Sequence, residues 1–211
     1  MTEKGNSRKK DWERTHQTIL AVASSLFMEK GYRLTSTREI AKKCDITQPN
    51  LYHHFSNKKE IYLAVIEALT KEVKTALLTI LNKGLTLENS LREMIDILLE
   101  KHPTNLFKML QDMSNELDTS EQKLMYLWFH ETYISSFIQL FAQVKTSPKL
   151  KQRVSDEQAA SFLLYNVSAL MEVQQTYQKK QSQQKINEMI DMMLYGLYQT
   201  SENHESERVN P

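Results

Sequence analysis

The side chains best suited to binding chemistry lie between Thr47 and Phe55, and this segment contains no carboxylate. Thr47 is predicted to cap a short helix over residues 48–55, with a proline in its first turn. Because successive helical residues lie about 100° apart, Leu51 and Phe55 share an inward face. The opposite face and the exposed N-terminal tip offer hydroxyl, amide, phenol and imidazole groups; they comprise Thr47, Gln48, Pro49, Asn50, Tyr52 and His53. A short helix that offers hydrogen bonds without negative charge suits the major groove of DNA.

The elements predicted to position this segment form a helix-turn-helix. A first helix over about 12–30 has apolar residues at three- and four-residue spacing and ends at Gly31. Ser36, followed three residues later by Glu39, forms a capping box that starts a second helix of barely two turns. Asp45 can adopt the left-handed conformation that a tight turn needs. Three closely spaced helices, two of them short, are typical of the helix-turn-helix.

Charge is distributed unevenly along the 211 residues. The formal net charge is +1, yet residues 1–60 contain 12 basic and 7 acidic side chains, against 15 and 19 in the remainder. This asymmetry predicts that only the first part of the chain meets a polyanion; the alternative is chance segregation of charge. Residues 1–11 are predicted to be a disordered basic tail. Its Lys4, Arg8, Lys9 and Lys10 form either an arm that enters the minor groove or a solvated tail.

Composition excludes several classes of protein. Four glycines and four prolines are too few for an all-β fold, and the single cysteine, Cys44, excludes an internal disulfide framework. No apolar stretch reaches membrane-span length and no signal peptide is visible, so we expect a cytoplasmic protein without membrane contact. His53 and His54 diverge on a helix and cannot share one metal ion. Since no phosphate loop, nucleophile elbow or HExxH motif occurs, we expect neither a cofactor nor an enzyme.

Helical patterns continue to the end of the chain. Asn57, followed by Glu60, starts a long helix that ends near Lys83, before Gly84. Five more helices are predicted over residues 87–101, 104–117, 121–144, 156–179 and 185–200. The predicted fold class is therefore all-α, with about nine helices. The predicted domains are the tail over 1–11, a helix-turn-helix DNA-binding domain over 12–57, a helical regulatory and dimerisation domain over 58–200, and a polar tail over 201–211.

Residues 15–69 resemble the DNA-binding domain of the TetR family of bacterial repressors. The resemblance is carried by the order and spacing of Gly31-Tyr32, Thr35 to Ala41, Leu51-Tyr52-His53-His54-Phe55 and Asn57 to Glu60. It implies phosphate contacts at Thr37 and Lys58, and base or backbone contacts from the recognition helix. The DNA-binding set is Thr37, Thr47, Gln48, Pro49, Asn50, Tyr52, His53 and Lys58. This sequence departs from the family at Asp45, where glycine is usual, and at Gln48-Pro49, where a lysine is missing.

The resemblance implies a dimeric repressor that a small hydrophobic ligand releases from a near-palindromic operator. Apolar stripes on the last two predicted helices favour a homodimer held by a four-helix bundle. A region rich in methionine and aromatic residues predicts the ligand site, with ordinary core packing as the alternative. The candidate ligand-binding residues are Met109, Met113, Met125, Trp128, His130 and Tyr133. The alternative function is a DNA-binding architectural or division-linked protein controlled by a protein partner.

Overall fold

The computed structural model describes residues 3–101, 116–143, 153–174 and 179–195. Within these ranges the chain forms helices and no strand, which confirms the predicted all-α class. The helices are α1 (Glu3–Leu34), α2 (Thr37–Lys43), α3 (Gln48–His54), α4 (Lys58–Leu81), α5 (Leu87–Lys101), α6 (Thr119–Phe129), α7 (Ser135–Ala142), α8 (Asp156–Gln174) and α9 (Lys179–Tyr195). Most of the helix predicted over 104–117, and the tail over 201–211, lie outside the described residues.

The first helix is longer than its sequence pattern predicts. It begins at Glu3, so the prediction of a disordered tail over residues 1–11 is wrong from that residue onward. Extending an existing helix costs far less than nucleating one, and Arg8, Lys9 and Lys10 have high helix propensity. Near its other end, Gly31 has φ 81° and ψ 170°, a backbone conformation that essentially only glycine adopts. A left-handed residue that closes the helix is expected at Gly31; its φ is positive as expected, but its ψ lies outside the left-handed helical region, and the break turns the chain towards α2.

Short polar side chains cap α2 and form the turn between α2 and α3. Ser36 accepts a hydrogen bond from the Glu39 backbone N–H at 3.1 Å, which confirms the N-cap of α2; the reciprocal bond of the predicted capping box, from the Ser36 N–H to the Glu39 carboxylate, is not found among the described residues. The Glu39 carboxylate pairs with Lys30, which ties α2 to α1. Asp45 has φ 55°, so it takes the left-handed conformation expected of it. Thr47 then accepts a hydrogen bond from the third residue of α3, which confirms the predicted N-cap.

Buried side chains form two clusters, and α4 contributes to both. The N-terminal core contains residues of α1, α2 and α3 together with Ile61, Val65 and neighbouring residues of α4. The C-terminal core contains Val73 and Leu77 of α4 and residues of α5, α7, α8 and α9. Asn57 caps α4 by accepting a hydrogen bond from the Glu60 backbone N–H at 2.9 Å. One continuous helix of 24 residues therefore connects the two cores mechanically.

A segment distant in sequence closes the N-terminal core. Leu117 and Met125 lie in it with only 6% and 3% of their surface exposed. Between them, Asp118 caps α6: its carboxylate accepts from the Glu121 N–H at 3.0 Å, while the Glu121 carboxylate accepts from the Asp118 N–H at 2.9 Å. We call residues 116–125 the docking corner. The N-terminal core thus includes Leu117, which lies 36 residues beyond the end of α4 at Leu81 (117 − 81).

The helix predicted over residues 121–144 is interrupted once. A π-helical turn, His130–Ile134, separates α6 from α7, and the Ser135 N–H bonds to the His130 carbonyl, five residues back. Thr132 in this turn is buried, and its hydroxyl points at the Thr70 carbonyl of α4 at 3.5 Å. A π-helical turn contains one residue more than an α-helical turn, and the spacing of apolar residues in the sequence does not predict where it occurs.

Candidate nucleic-acid interface

The outward face of α3 carries the side chains that its helical wheel predicts. Leu51 and Phe55 are buried in the N-terminal core, which confirms them as the inward pair. Tyr52 is 46% exposed, and His53 also faces outward. Thr47, Pro49 and Asn50 are exposed at the N-terminal end of the helix, and Gln48 is half-buried there. The helix is therefore fixed by its apolar face while its polar face stays open to a large partner.

A groove of about 620 Å³ runs beside this face, between the N-termini of α2 and α4. Thr37 and Tyr52 meet in it through a hydrogen bond of 3.1 Å between their hydroxyl oxygens. Both flanking helices begin here, so their first backbone N–H groups and positive dipole ends converge on the groove. The lining residues are Arg33, Thr35, Ser36, Thr37, Tyr52, Ser56, Asn57 and Lys58. Two cations, several hydroxyls and no carboxylate line the groove, which suits an anion, although Arg33 also pairs with Glu116 and the Ser56 N–H donates to Glu60.

Lys58 is held in place at the edge of this groove. Its ammonium lies 4.2 Å from the centre of the Tyr32 ring and donates to the Arg33 carbonyl at 3.4 Å. Burial lowers the pKa of Lys58, and the Glu116 carboxylate partly opposes that effect. An anion in the groove would restore a favourable environment for the charged amine. The ammonium is thus oriented before any ligand arrives.

Arg33 and Ser56 are groove residues that the sequence patterns do not single out. Arg33 follows the break at Gly31, where the helical period ends, so its direction depends on the fold. Ser56 lies between α3 and α4, and its backbone N–H donates to the Glu60 carboxylate. The excess of basic residues in positions 1–60 is the one sequence signal that includes Arg33.

A ring stack packs α1 against the C-terminal end of α3. Trp12 of α1 stacks on His54 at 4.9 Å and on His16 at 4.8 Å between ring centroids, and His16 in turn stacks on Phe55 at 4.5 Å. The Nδ1 atoms of both histidines are buried without a hydrogen-bond partner among the described residues. Burial lowers the pKa of each imidazole, and for His54 the neighbouring histidines add to this effect. His54 therefore packs between helices, as expected, while His53 faces outward.

The docking corner forms two ion pairs with basic residues at the end of α1 and the start of α4. Arg33 pairs with Glu116 at 3.0 Å, and Lys59 pairs with Glu121 at 2.9 Å. These contacts and the burial of Met125 fix the beginning of α6 against the beginning of α4.

The described candidates for ligand binding are divided between the two cores. Met125 lies in the N-terminal core, and Trp128 packs against its edge. His130 pairs with Glu157 of α8 at 3.7 Å. Tyr133 is buried in the C-terminal core, where desolvation raises the pKa of its phenol. The two remaining candidates, Met109 and Met113, fall outside the described residues, so a single cavity lined by all six remains a prediction.

Similarity to known proteins is concentrated in this region. Residues 19–65 match the family model described as bacterial regulatory proteins of the tetR family. The transcriptional activator FasR of Mycolicibacterium smegmatis is 42% identical over 64 residues, covering 30% of this chain and 28% of that protein. The transposon Tn10 TetC protein of Escherichia coli is 39% identical over 62 residues, covering 29% and 32%. The chain therefore aligns with a third or less of the length of these curated relatives.

Solved structures extend the likeness in fold to most of the chain. A TetR transcriptional regulator from Legionella pneumophila superposes with a TM-score of 0.70 at 20% identity, covering 83% of this chain and 94% of that one. PfmR from Thermus thermophilus superposes with a TM-score of 0.65 at 19% identity, covering 86% and 99%. No described helix is both long enough and apolar enough to span a bilayer. The chain therefore contains a segment, residues 19–65, that matches the tetR family model, within a fold that it shares with solved TetR regulators.

Proposed function

We propose that the protein is a transcriptional regulator that binds operator DNA as a homodimer and is released by a small hydrophobic ligand. The observation that carries the proposal is the open polar face of α3 beside a groove lined by Lys58 and by Arg33, which also pairs with Glu116, with no carboxylate among the lining residues. An α-helix fits the major groove of DNA, and an adjacent cationic site fits the phosphates that border that groove.

The proposal assigns different tasks to the groove and the helix. Thr37, Tyr52 and Lys58 bind a backbone phosphate and fix the register of the protein on the duplex. Gln48, Asn50 and His53 reach base edges, where a glutamine or asparagine amide pairs with adenine N6 and N7. Thr47 and Pro49 contribute the tip that approaches bases and backbone. The hydrogen bond between Thr37 and Tyr52 supports this division, because it turns the phenol towards the phosphate site.

The dimer is proposed from apolar surface on the last two helices. Phe162 and Tyr165 of α8 are 58% and 60% exposed, and Met192 and Tyr195 of α9 are also exposed. Large side chains grouped on neighbouring helices are typical of a face that pairs with its symmetry mate. A two-fold pair sets the two recognition helices in successive major grooves, about 34 Å apart, and requires a near-palindromic operator.

Release by ligand is proposed from the continuity of α4 and the packing of the docking corner. A ligand bound among α6, α7 and the C-terminal core can act on DNA affinity only if it binds one α4 position better than another. One solved relative in fold, AibR, is described in complex with isovaleryl coenzyme A and operator DNA. The staphylococcal relative IcaR is named a negative transcriptional regulator, which supports repression as the direction of control.

The experiment combines selection of a bound duplex from a random library with fluorescence anisotropy at several salt concentrations. Lys58→Gln should weaken binding to every duplex and reduce the slope of log K against log salt by about 0.9 per subunit. Gln48→Ala should instead relax preference at one base step, with a loss of about 1–3 kcal/mol for the preferred base. Lys71→Gln is the matched control, since Lys71 is exposed on α4 away from the groove.

The outcomes separate the parts of the proposal. A purified protein that prefers no duplex, or a Lys58→Gln variant with the salt slope of Lys71→Gln, would overturn the assignment of the interface. A two-fold related pair of half-sites in the selected sequence would support the dimer. DNA affinity that stays constant in the presence of a ligand shown to bind would remove the release mechanism.

A further inference from the structure

We infer that the N-terminal end of α1 is a second DNA-binding element, which contacts backbone phosphates flanking the base pairs read by α3. The inference rests on the proposed function and extends the contact surface beyond the helix-turn-helix. It assigns a partner to Arg8, Lys9 and Lys10, which the interface described above does not use.

The first step is the direction of one face of α1. Arg8, Trp12 and His16 follow one another at four-residue spacing, so they lie along the same side of the helix. Two of them are fixed by contact: Trp12 and His16 stack against His54 and Phe55 at the C-terminal end of α3. The same side of α1 therefore faces the recognition helix.

The second step is distance along the helix. With a rise of about 1.5 Å per residue, Arg8 lies about 6 Å beyond Trp12 towards the N-terminus. Trp12 marks the place where α1 meets the end of α3, so Arg8 lies beyond that contact, towards the N-terminus of α1. Lys9 and Lys10 lie about 100° and 200° further round the same turn, and all three side chains are exposed.

The third step is charge. Among the residues that the structure describes, Arg8, Lys9 and Lys10 form no ion pair, whereas the nearby Asp11 pairs with Arg14 at 3.2 Å. Three adjacent cations remain available at the end of a rigid element that adjoins the proposed interface. The DNA backbone that flanks the base pairs bound by α3 is a polyanion, and its phosphates are suited to bind these cations.

The helical state of the segment decides which part of DNA it meets. An α-helix with its side chains is about 10–12 Å wide, whereas the minor groove is about 6 Å wide. A helical element cannot enter the minor groove as an extended arm can, so its cations contact phosphates. Because α1 is already ordered, binding loses less conformational entropy than the folding of a flexible tail would cost. Trp12 is the positioning residue, since its stack on His54 sets where the helix points.

The test compares two duplexes and matched variants of the full-length protein. The long duplex carries the selected operator with about one helical turn of flanking DNA on each side, and the short duplex ends at the operator. The variant Arg8→Gln/Lys9→Gln/Lys10→Gln should lose at least tenfold in affinity on the long duplex and much less on the short one. On the long duplex its salt slope should fall by about 0.9 for each phosphate that the protein no longer neutralises. Its preference among operator sequences should not change.

Two further variants keep the test decisive. The control Lys71→Gln/Lys74→Gln/Lys83→Gln removes three exposed cations from α4 and the turn after it, and should bind both duplexes like wild type. Trp12→Ala should reduce the salt slope on the long duplex as the triple variant does, and combining the two should add little. If the Arg8/Lys9/Lys10 variant matches the control on the long duplex while wild type binds tightly, the inference is wrong and the proposed function stands. If wild type binds no duplex, both fail.

Discussion

Packing of the docking corner predicts that Met125→Ala destabilises the protein although Met125 lies outside the helix-turn-helix. The side chain is 3% exposed and belongs to the N-terminal core. Truncating a buried methionine to alanine typically costs about 2–5 kcal/mol, because transfer free energy is lost and a cavity remains. For a chain of about 200 residues, each kcal/mol lowers the melting temperature by about 2–4 °C. We therefore expect a decrease of at least about 4 °C.

The ion pairs of the same corner should contribute much less. Lys59 and Glu121 keep 34% and 19% of their side-chain surface in water, so solvent screens their attraction. Exposed pairs of this kind contribute little to stability, because water and salt screen them. Glu121→Gln should thus cost a fraction of what Met125→Ala costs. The comparison decides whether apolar burial or charge holds the corner in place.

Urea denaturation followed by circular dichroism measures both effects, with an unchanged m-value showing that the transition itself is preserved. Leu127→Ala is the matched control, because Leu127 lies on the same helix and is 49% exposed. Hydrogen exchange should locate the loss of protection in Met125→Ala at α1 and the start of α4. The reasoning would be refuted if Met125→Ala lowered the free energy of unfolding no more than Leu127→Ala does, or less than Glu121→Gln does.

Two further predictions concern pH and backbone conformation. Because the folded pKa values of His16 and His54 lie below the unfolded value of about 6.5, the unfolded state binds more protons, and the free energy of unfolding should decrease as the pH falls below about 6.5. Urea titrations from pH 7.5 to 5 should show this slope in wild type and a smaller one in His16→Gln/His54→Gln; equal slopes would contradict it. Gly31→Ala should cost about 1–3 kcal/mol, since alanine does not readily adopt φ 81° with ψ 170°. Gly84→Ala, at φ 67° in open space, is the comparison and should lower the melting temperature less; equal losses would show that the ψ of Gly31 is irrelevant.

Features governed by local chemistry could be predicted from the sequence. Thr47 and Asn57 cap their helices because a short polar side chain satisfies a backbone N–H two or three residues ahead, whatever the rest of the chain does. Asp45 adopts a positive φ for an equally local reason. The inward and outward faces of α3 follow from helical geometry alone, so Leu51 and Tyr52 lie where the wheel places them.

Features governed by contacts between distant residues could not be predicted in the same way. Arg33 and Glu116 are 83 residues apart, and no pattern within either segment indicates that they pair. The position of Met125 depends equally on where α6 docks. A methionine at helical spacing fits a cavity wall or either of two cores, and its sequence context does not choose among them. The composition of residues 3–11 does not reveal their helical state, because that state is a continuation of the helix that follows them.

The π-helical turn His130–Ile134 lets the consecutive helices α6 and α7 pack into different cores. Met125, before the turn, points into the N-terminal core, while Phe137 and Leu140, after it, point into the C-terminal core. One added residue rotates everything that follows by about 100° relative to an uninterrupted helix. Removing one residue from the turn would therefore swing Phe137 and Leu140 out of register with their neighbours. The direction of the side chains that α7 buries in the C-terminal core, relative to those that α6 buries in the N-terminal core, therefore depends on the length of this turn.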